Sequence, residues 1–219
     1  MNDDAPSSES DRAAIDGVAN VVGNLDPELA ERLRFLLELD RLKGILRRSL
    51  VLAGERRENS AEHSWHLALF ALVLVRHANE PVDLARVVMM LLVHDVVEID
   101  AGDTYIYDEA AVARKARTES RAADRIYGLL PGDEGAELRA LWDEYERQDT
   151  ADSRFAHSVD RLQPLLLNLV SGAVSWHEHG VPASRVREIN SRMATGSTEL
   201  WTAASALIDD AITRGILTP

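Results

Sequence analysis

Every residue from Val87 to Val93 is apolar, and the run ends directly in His94-Asp95, with Glu98 and then Gly102-Asp103 close behind. Apolar residues with no polar face read as a helix buried on nearly all sides. Such a helix must be enclosed by other elements, and the groups that end it are drawn into the interior. A buried carboxylate without a partner is costly enough to shift its pKa and neutralise. A divalent metal ion is one partner that suits a histidine and an aspartate together.

The rest of the chain reads as further helices. Its 219 residues predict one domain, and a 46% hydrophobic content is enough for a sizeable core. Aromatics are sparse, and Leu, Val and Ala favour helix packing. There is no cysteine, which excludes a disulfide frame, a thiolate zinc site and a thiol nucleophile. The patterning predicts a helix from about Pro27 to Leu46 and a basic loop over Arg47–Arg57. Asn59-Ser-Ala-Glu62 has the form of a capping box, opening a helix that runs to about His77. The next helix runs from Pro81 to about Asp100, with Gly102 as its stop. Amphipathic helices follow over 108–130, 134–147 and 151–171, with Pro164 expected to kink the last or mark its first turn. A loop around Trp176–Gly180, expected to pack by its tryptophan rather than line a site through His177 or His179, precedes one or two final helices. No segment alternates like a strand. The expectation is an all-α single domain over 25–219, a helical bundle with a central metal site. Residues 1–24 are expected to be poorly ordered.

The net charge of −13 argues against a nucleic-acid polymer or an anionic membrane as partner. It leaves room for a small anion held by a local arginine cluster. No signal pattern and no stretch of membrane-spanning length are found, so a soluble cytoplasmic protein is expected.

Further metal ligands are available. His63 falls in the first turn of the helix capped by Asn59, and His66 lies at i+3, so both can share one face. Asp160, in FAHSVDRLQPLLLNLV, is another acid entering an apolar run. Mixed imidazole and carboxylate ligation suits Mn, Fe, Co, Ni or Zn, and suits Mg less well.

This order of residues, H…HD…D over His63, His94-Asp95 and Asp160, resembles the HD superfamily of metal-dependent phosphohydrolases. It is most similar to the branch of bacterial 5′-deoxynucleotidases and the eukaryotic HD-domain-containing protein 2. ENSAEHS, HDVVEIDAGD, ALWDEYE and DRLQPLLLN carry the resemblance over about Leu33 to Val186. The resemblance implies a helical fold around one divalent ion held by His63, His94, Asp95 and Asp160. It implies that Glu98 orients or protonates at the phosphate, and that Asp103 lies near the sugar. It also implies an arginine on the phosphate: the pattern's count reaches Arg48, with Arg47, Arg56 and Arg57 nearby. Where the deoxynucleotidases carry an aromatic after that arginine, usually Trp, this chain has Ser49, so base or sugar contacts can differ.

The function expected is hydrolysis of a phosphate monoester, with a (deoxy)nucleoside 5′-monophosphate as the small phosphorylated partner. The alternative is a metal-containing nucleotide-binding or regulatory module without turnover; Glu98 and the arginine-rich loop favour the enzyme. A di-iron oxygenase needs more histidines between Asp95 and Asp160 than the single His157. Leu- and Ala-rich helices with an apolar face left over make a homodimer the expected assembly.

Overall fold

The computed structural model describes residues 9–24, 26–52, 54 and 56–218. Its elements run α1 (Glu9–Gly23), α2 (Pro27–Leu39), β1 (Leu46–Leu50), β2 (Arg57–Asn59), α3 (Ser60–Leu74), α4 (Leu84–Val93) and α5 (Glu98–Ala101). Then come α6 (Glu109–Tyr127), α7 (Glu134–Arg147), α8 (Ala151–Val170), α9 (Val174–Glu178), α10 (Ala183–Asn190) and α11 (Thr198–Thr213). The architecture is all-α with one small hairpin. No helix of the described residues is long and apolar enough to cross a membrane.

Local chemistry explains most boundaries. Asp26 caps α2 by accepting from the Leu29 amide at 3.0 Å, and Pro27 opens the helix where no donor is needed. The Asn59 side chain accepts from the Glu62 amide at 2.9 Å, and Glu62 accepts from the Asn59 amide at 3.2 Å, so the capping box forms as the spacing predicts. Thr150 and Ser153 cap α8 in the same reciprocal way. Pro164 sits inside α8, where it has no N–H to give the carbonyl of Asp160.

Several segments differ from the sequence reading, among them the stretch around Trp176–Gly180, read as a loop, where Val174–Glu178 forms the short helix α9. The first helix stops at Leu39 and tightens into a 3-10 turn over Asp40–Gly44. The basic stretch read as a loop contains the antiparallel hairpin β1–β2, pairing Leu46 with Asn59 and Leu50 with Arg57 through an irregular register. Its strands show no apolar alternation because the inward positions of β1, Arg47 and Ser49, are polar. The helix expected to reach Asp100 gives way after Val93. There the bonding shortens to i→i+3, with amides of Val96, Glu98 and Ile99 donating to Val93, Asp95 and Val96. Gly102, at φ 74°, then ends α5. At the N-terminus, residues 1–8 lie outside the described residues, and Glu9–Gly23 form a helix packed against α2, joined to it by the Asp16–Arg34 ion pair at 3.1 Å.

The break after Val93 lies between two apolar clusters. Val87, Met90 and Leu91 of α4 belong to the larger one, with Leu67 of α3, Phe155, Val159 and Leu162 of α8, and Ala204 and Ile208 of α11. Val96, Val97 and Ile99 belong to the second, with Phe35, Ile126, Tyr127 and Trp142. Side chains such as Met90 and Leu91, fully buried, contribute roughly 1.5–3 kcal/mol each. Burial on both sides pins the intervening His94-Asp95, which would otherwise gain by moving into water.

Candidate metal centre and its cavity

Four donor groups converge at this junction. His63 comes from the first turn of α3, His94-Asp95 from the end of α4, and Asp160 from the middle of α8. Nε2 of His63 lies 2.9 Å from Oδ1 of Asp160. Nε2 of His94 lies 3.1 Å from Oδ1 of Asp95 and 3.8 Å from Oδ1 of Asp160. Each carboxylate has its other oxygen held elsewhere: Tyr145 donates to Oδ2 of Asp160 at 2.9 Å, and Arg47 to Oδ2 of Asp95 at 2.8 Å. One oxygen of each acid is thereby left facing the imidazoles. His63, His94 and Asp160 form the compact set, with donor atoms all within 4.8 Å of one another. Donors about 2.1 Å from one ion stand roughly 3.0–3.4 Å apart; the 2.9 and 3.1 Å separations match this, and the wider ones would have to close by small side-chain shifts.

The imidazole nitrogens give an independent test of that fit. Nδ1 of His94 donates to the Leu91 carbonyl at 2.9 Å, which leaves Nε2 as the lone-pair nitrogen. That Nε2 is buried and has no hydrogen-bond partner. An unsatisfied buried acceptor costs about 1–3 kcal/mol, and a metal ion satisfies it. His63 is arranged similarly. The Gln163 amide nitrogen donates to Glu58 at 2.6 Å and faces Nδ1 of His66 at 3.2 Å. Its Oε1 must then be the atom 3.1 Å from Nδ1 of His63, which makes Nδ1 a donor and leaves Nε2, facing Asp160 at 2.9 Å, as the nitrogen that would bind an ion.

The electrostatics favour a cation. Burial and the Arg47 charge push the His63 imidazolium down, but the hydrogen bond to Asp160 and the Glu58 carboxylate 3.6 Å away outweigh them and hold its pKa up at about 9. Burial lowers His94, which stays neutral. Asp160 lies well below the usual carboxylate range: burial pushes it up, but the His63 hydrogen bond and the His63 and Arg47 charges prevail. The site stabilises positive charge, as a proton or as a metal ion.

Around this centre opens a cavity of about 300 Å³. Arg47, Arg48, Glu98 and Asp103 all line it. Arg47 is the buried arginine, 3.8 Å from Asp103 as well as bonded to Asp95. Arg48, the next residue on the strand, is exposed and lines the cavity nearer to solvent. Arg57 is turned away: it donates to the Arg48 carbonyl and pairs with Glu178 at 2.5 Å, tying the hairpin to α9. Arg56 pairs with Glu62. Glu98 accepts from Ser60 at 2.6 Å; burial and the Asp95 charge raise its pKa well above the ordinary carboxylate value, which favours its protonated form. Burial likewise raises Asp103. Ser49 is buried in the lining, where it brings no aromatic face. Trp176 packs in the core and borders the cavity, while His177 and His179 bond backbone carbonyls.

The sequence reading missed Glu58, Ser60, Tyr145 and Gln163, which orient the donors and Glu98. Gln163 had one signal: it lies one turn after Asp160, on the same face of α8. His66 completes that network through Gln163.

A family model described as HD domain matches residues 39–201. A crystal structure from Magnetospirillum magnetotacticum, named a predicted metal-dependent phosphohydrolase, is 50% identical with a TM-score of 0.83, covering 88% of this chain and 96% of that one. The human protein named 5′-deoxynucleotidase HDDC2 is 33% identical over 135 residues, 61% of this chain and 65% of the relative's length. The Schizosaccharomyces pombe 5′-deoxynucleotidase hdd1 is 27% identical over 135 residues, 59% of this chain and 66% of its own length. The chain thus matches slightly under two thirds of these curated relatives.

Proposed function

This chain belongs to the HD domain family, and we propose that it is a metal-dependent phosphomonoester hydrolase acting on (deoxy)nucleoside 5′-monophosphates. The observation that carries the reading is the partnerless Nε2 of His94, set among His63, Asp95 and Asp160 and opening onto a cavity that also holds arginines and Glu98. The relatives' names, 5′-deoxynucleotidase and metal-dependent phosphohydrolase, support the substrate class and the reaction.

His63, His94, Asp95 and Asp160 would hold one divalent ion; mixed nitrogen and oxygen donors suit Mn, Fe, Co, Ni or Zn. When bound, the ion supplies Lewis acidity toward a phosphoryl oxygen and lowers the pKa of water. The remaining chemistry belongs to the chain. Phosphoryl transfer is mainly a matter of position and charge neutralisation, and Arg47, with Arg48 at the mouth, supplies guanidinium to the phosphate. Arg47 also holds Asp95 in place. Glu98, neutral and fixed through Ser60, keeps a carboxylic proton to give to the leaving alkoxide. Asp103, behind Gly102, accepts from a sugar hydroxyl. Ser49 brings no aromatic ring to the sugar, so any aromatic contact falls to Tyr105, Tyr107 or Trp176 of the lining.

Trp65, Leu69, Leu72 and Val73 form one exposed apolar face of α3, and Met89 and Leu92 are exposed on the neighbouring α4. This face supports a homodimer. The test of the activity is a phosphate-release screen of nucleoside monophosphates and sugar phosphates with Mn, Co and Mg. Release from nucleoside monophosphates is the expected result. No release across the panel would leave a binding module without turnover.

A further inference from the structure

The hydrolase reading uses only part of the cavity lining. The lining residues from 161 to 192 have a different charge. Every carboxylate in the lining comes from Asp95, Glu98, Asp103, Glu146 and Asp160; residues 161–192 contribute none. They contribute Arg161 and Arg192 instead.

Neither arginine has an ion-pair partner among the described residues. That is unusual here, because the acidic chain pairs its part-buried arginines consistently: Arg41 with Glu38, Arg86 with Glu144, Arg139 with Asp143, Arg154 with Glu80. The arginines outside the cavity that lack such a pair, Arg12, Arg76, Arg114, Arg117 and Arg121, are exposed to water. Arg161 is not. It is half-buried on the face of α8 that also presents Asp160, Pro164 and Asn168 to the cavity. Its Nη1 donates to the Ile189 carbonyl at 3.1 Å, which carries the guanidinium toward the end of α10. Its Nε is buried with no partner at all.

Polar groups surround this position. Asn190 donates to the Val186 carbonyl at 2.8 Å and faces the Tyr107 hydroxyl at 3.4 Å. Burial pushes the Tyr107 phenol up to about 12, so it remains a neutral donor. Arg192 follows, itself exposed, on the 3-10 turn Ser191–Thr195. A guanidinium removed from water with an unmade hydrogen bond is costly unless an anion completes it. The scissile phosphate already has Arg47 and Arg48 at its end.

We infer that Arg161 and Arg192, with Asn190 and Tyr107, form a second anion subsite, and that the preferred substrate is a phosphomonoester carrying a second anionic group. This deepens the hydrolase reading and rests on it. A second phosphate and a carboxylate share the chemistry that two guanidinium groups recognise.

Matched substrate pairs separate these cases. 2′-Deoxyadenosine 5′-monophosphate is compared with 2′-deoxyadenosine 3′,5′-bisphosphate, and glycerol 3-phosphate with 3-phosphoglycerate. In wild-type protein the doubly anionic member of at least one pair should win by about tenfold or more in kcat/KM, the size of a charged hydrogen bond. The preference should fall toward unity in Arg192→Ala, an exposed position whose substitution does not threaten the fold, and in Arg161→Gln, with Arg161→Lys retaining part of it. Equal kcat/KM within both pairs in wild type overturns the subsite. So does an equal slowing of both members by the variants, which would put these arginines on the scissile phosphate. If neither member of any pair is hydrolysed, the hydrolase reading has failed on its own. Calorimetry then decides the subsite: tighter binding of the bisphosphate, lost in Arg192→Ala, upholds it, and equal affinities overturn it.

Discussion

Replacing Gln163 by Leu removes the group that decides which nitrogen of His63 is free. Gln163 is fully buried. Its Oε1 lies 3.1 Å from Nδ1 of His63, and its Nε2 donates to Glu58 at 2.6 Å and faces His66 at 3.2 Å. Leucine fills a similar volume and makes none of these bonds. Two buried groups are then left unsatisfied, the Nδ1 donor of His63 and a carboxylate oxygen of Glu58. At about 1–3 kcal/mol each, and more for the charged one, the loss of stability should be about 3–5 kcal/mol. That lies within the roughly 5–15 kcal/mol of an ordinary domain, so the variant should still fold at low temperature. The larger consequence is at the metal. With the Nδ1 partner gone, His63 is free to carry its proton on Nε2 and turn it away. Removing a group that orients a histidine ligand typically costs about 10–100-fold in metal affinity, or about 1.4–2.7 kcal/mol. The assay is a competition titration of Zn or Mn against a chelating dye, with urea midpoints recorded on the same samples. A folded Gln163→Leu protein that binds metal within twofold of wild type would refute the assignment of the His63 tautomer.

Further predictions address separate parts of the account. Glu98→Gln should bind metal normally and lower kcat by about 10²–10⁴-fold, the usual weight of a general acid; an unchanged kcat in steady-state assays removes Glu98 from the reaction. Burial raises the pKa of Glu119 to about 7 from its ordinary 4.5, so its contribution is fully present below about pH 4.5 and is lost as pH rises through 7. Up to about 3 kcal/mol is involved, and Glu119→Gln should flatten the fall in urea midpoint between pH 5 and 8; the same slope in both proteins would count against it. Trp65→Asp on the exposed face of α3 should shift sedimentation from dimer to monomer while leaving the chain folded, and a monomeric wild type would contradict the proposed assembly.

How much of this was legible in the sequence depended on whether the signal was apolar. Helix α7, at Glu134–Arg147, begins and ends where the patterning put it, and the Asn59–Glu62 box forms as read. His63, His94 and Asp160 come together, because the buried helices that carry them are the strongest patterns in the chain. The hairpin was illegible because its inward side chains serve a polar cavity, so Arg47 and Ser49 break the alternation that marks a strand. The same error hid which arginine is buried: counting reaches Arg48, but strand pleating turns Arg47 inward. The break of α4 at Val93 leaves no trace in an apolar run that continues through Val96 and Val97. It exists because those residues leave one cluster for another. Gln163 was hidden as an amide inside an apolar stretch, its role visible only once Glu58 and His63 are seen on either side.

The most direct test of the central claim is phosphate release from a nucleoside monophosphate by protein stripped with a chelator and then titrated with Mn or Co. The account predicts no release from the stripped protein and recovery that saturates at one ion per chain, with no recovery in His94→Ala. Undiminished release from the stripped protein, or full recovery in His94→Ala, would contradict it.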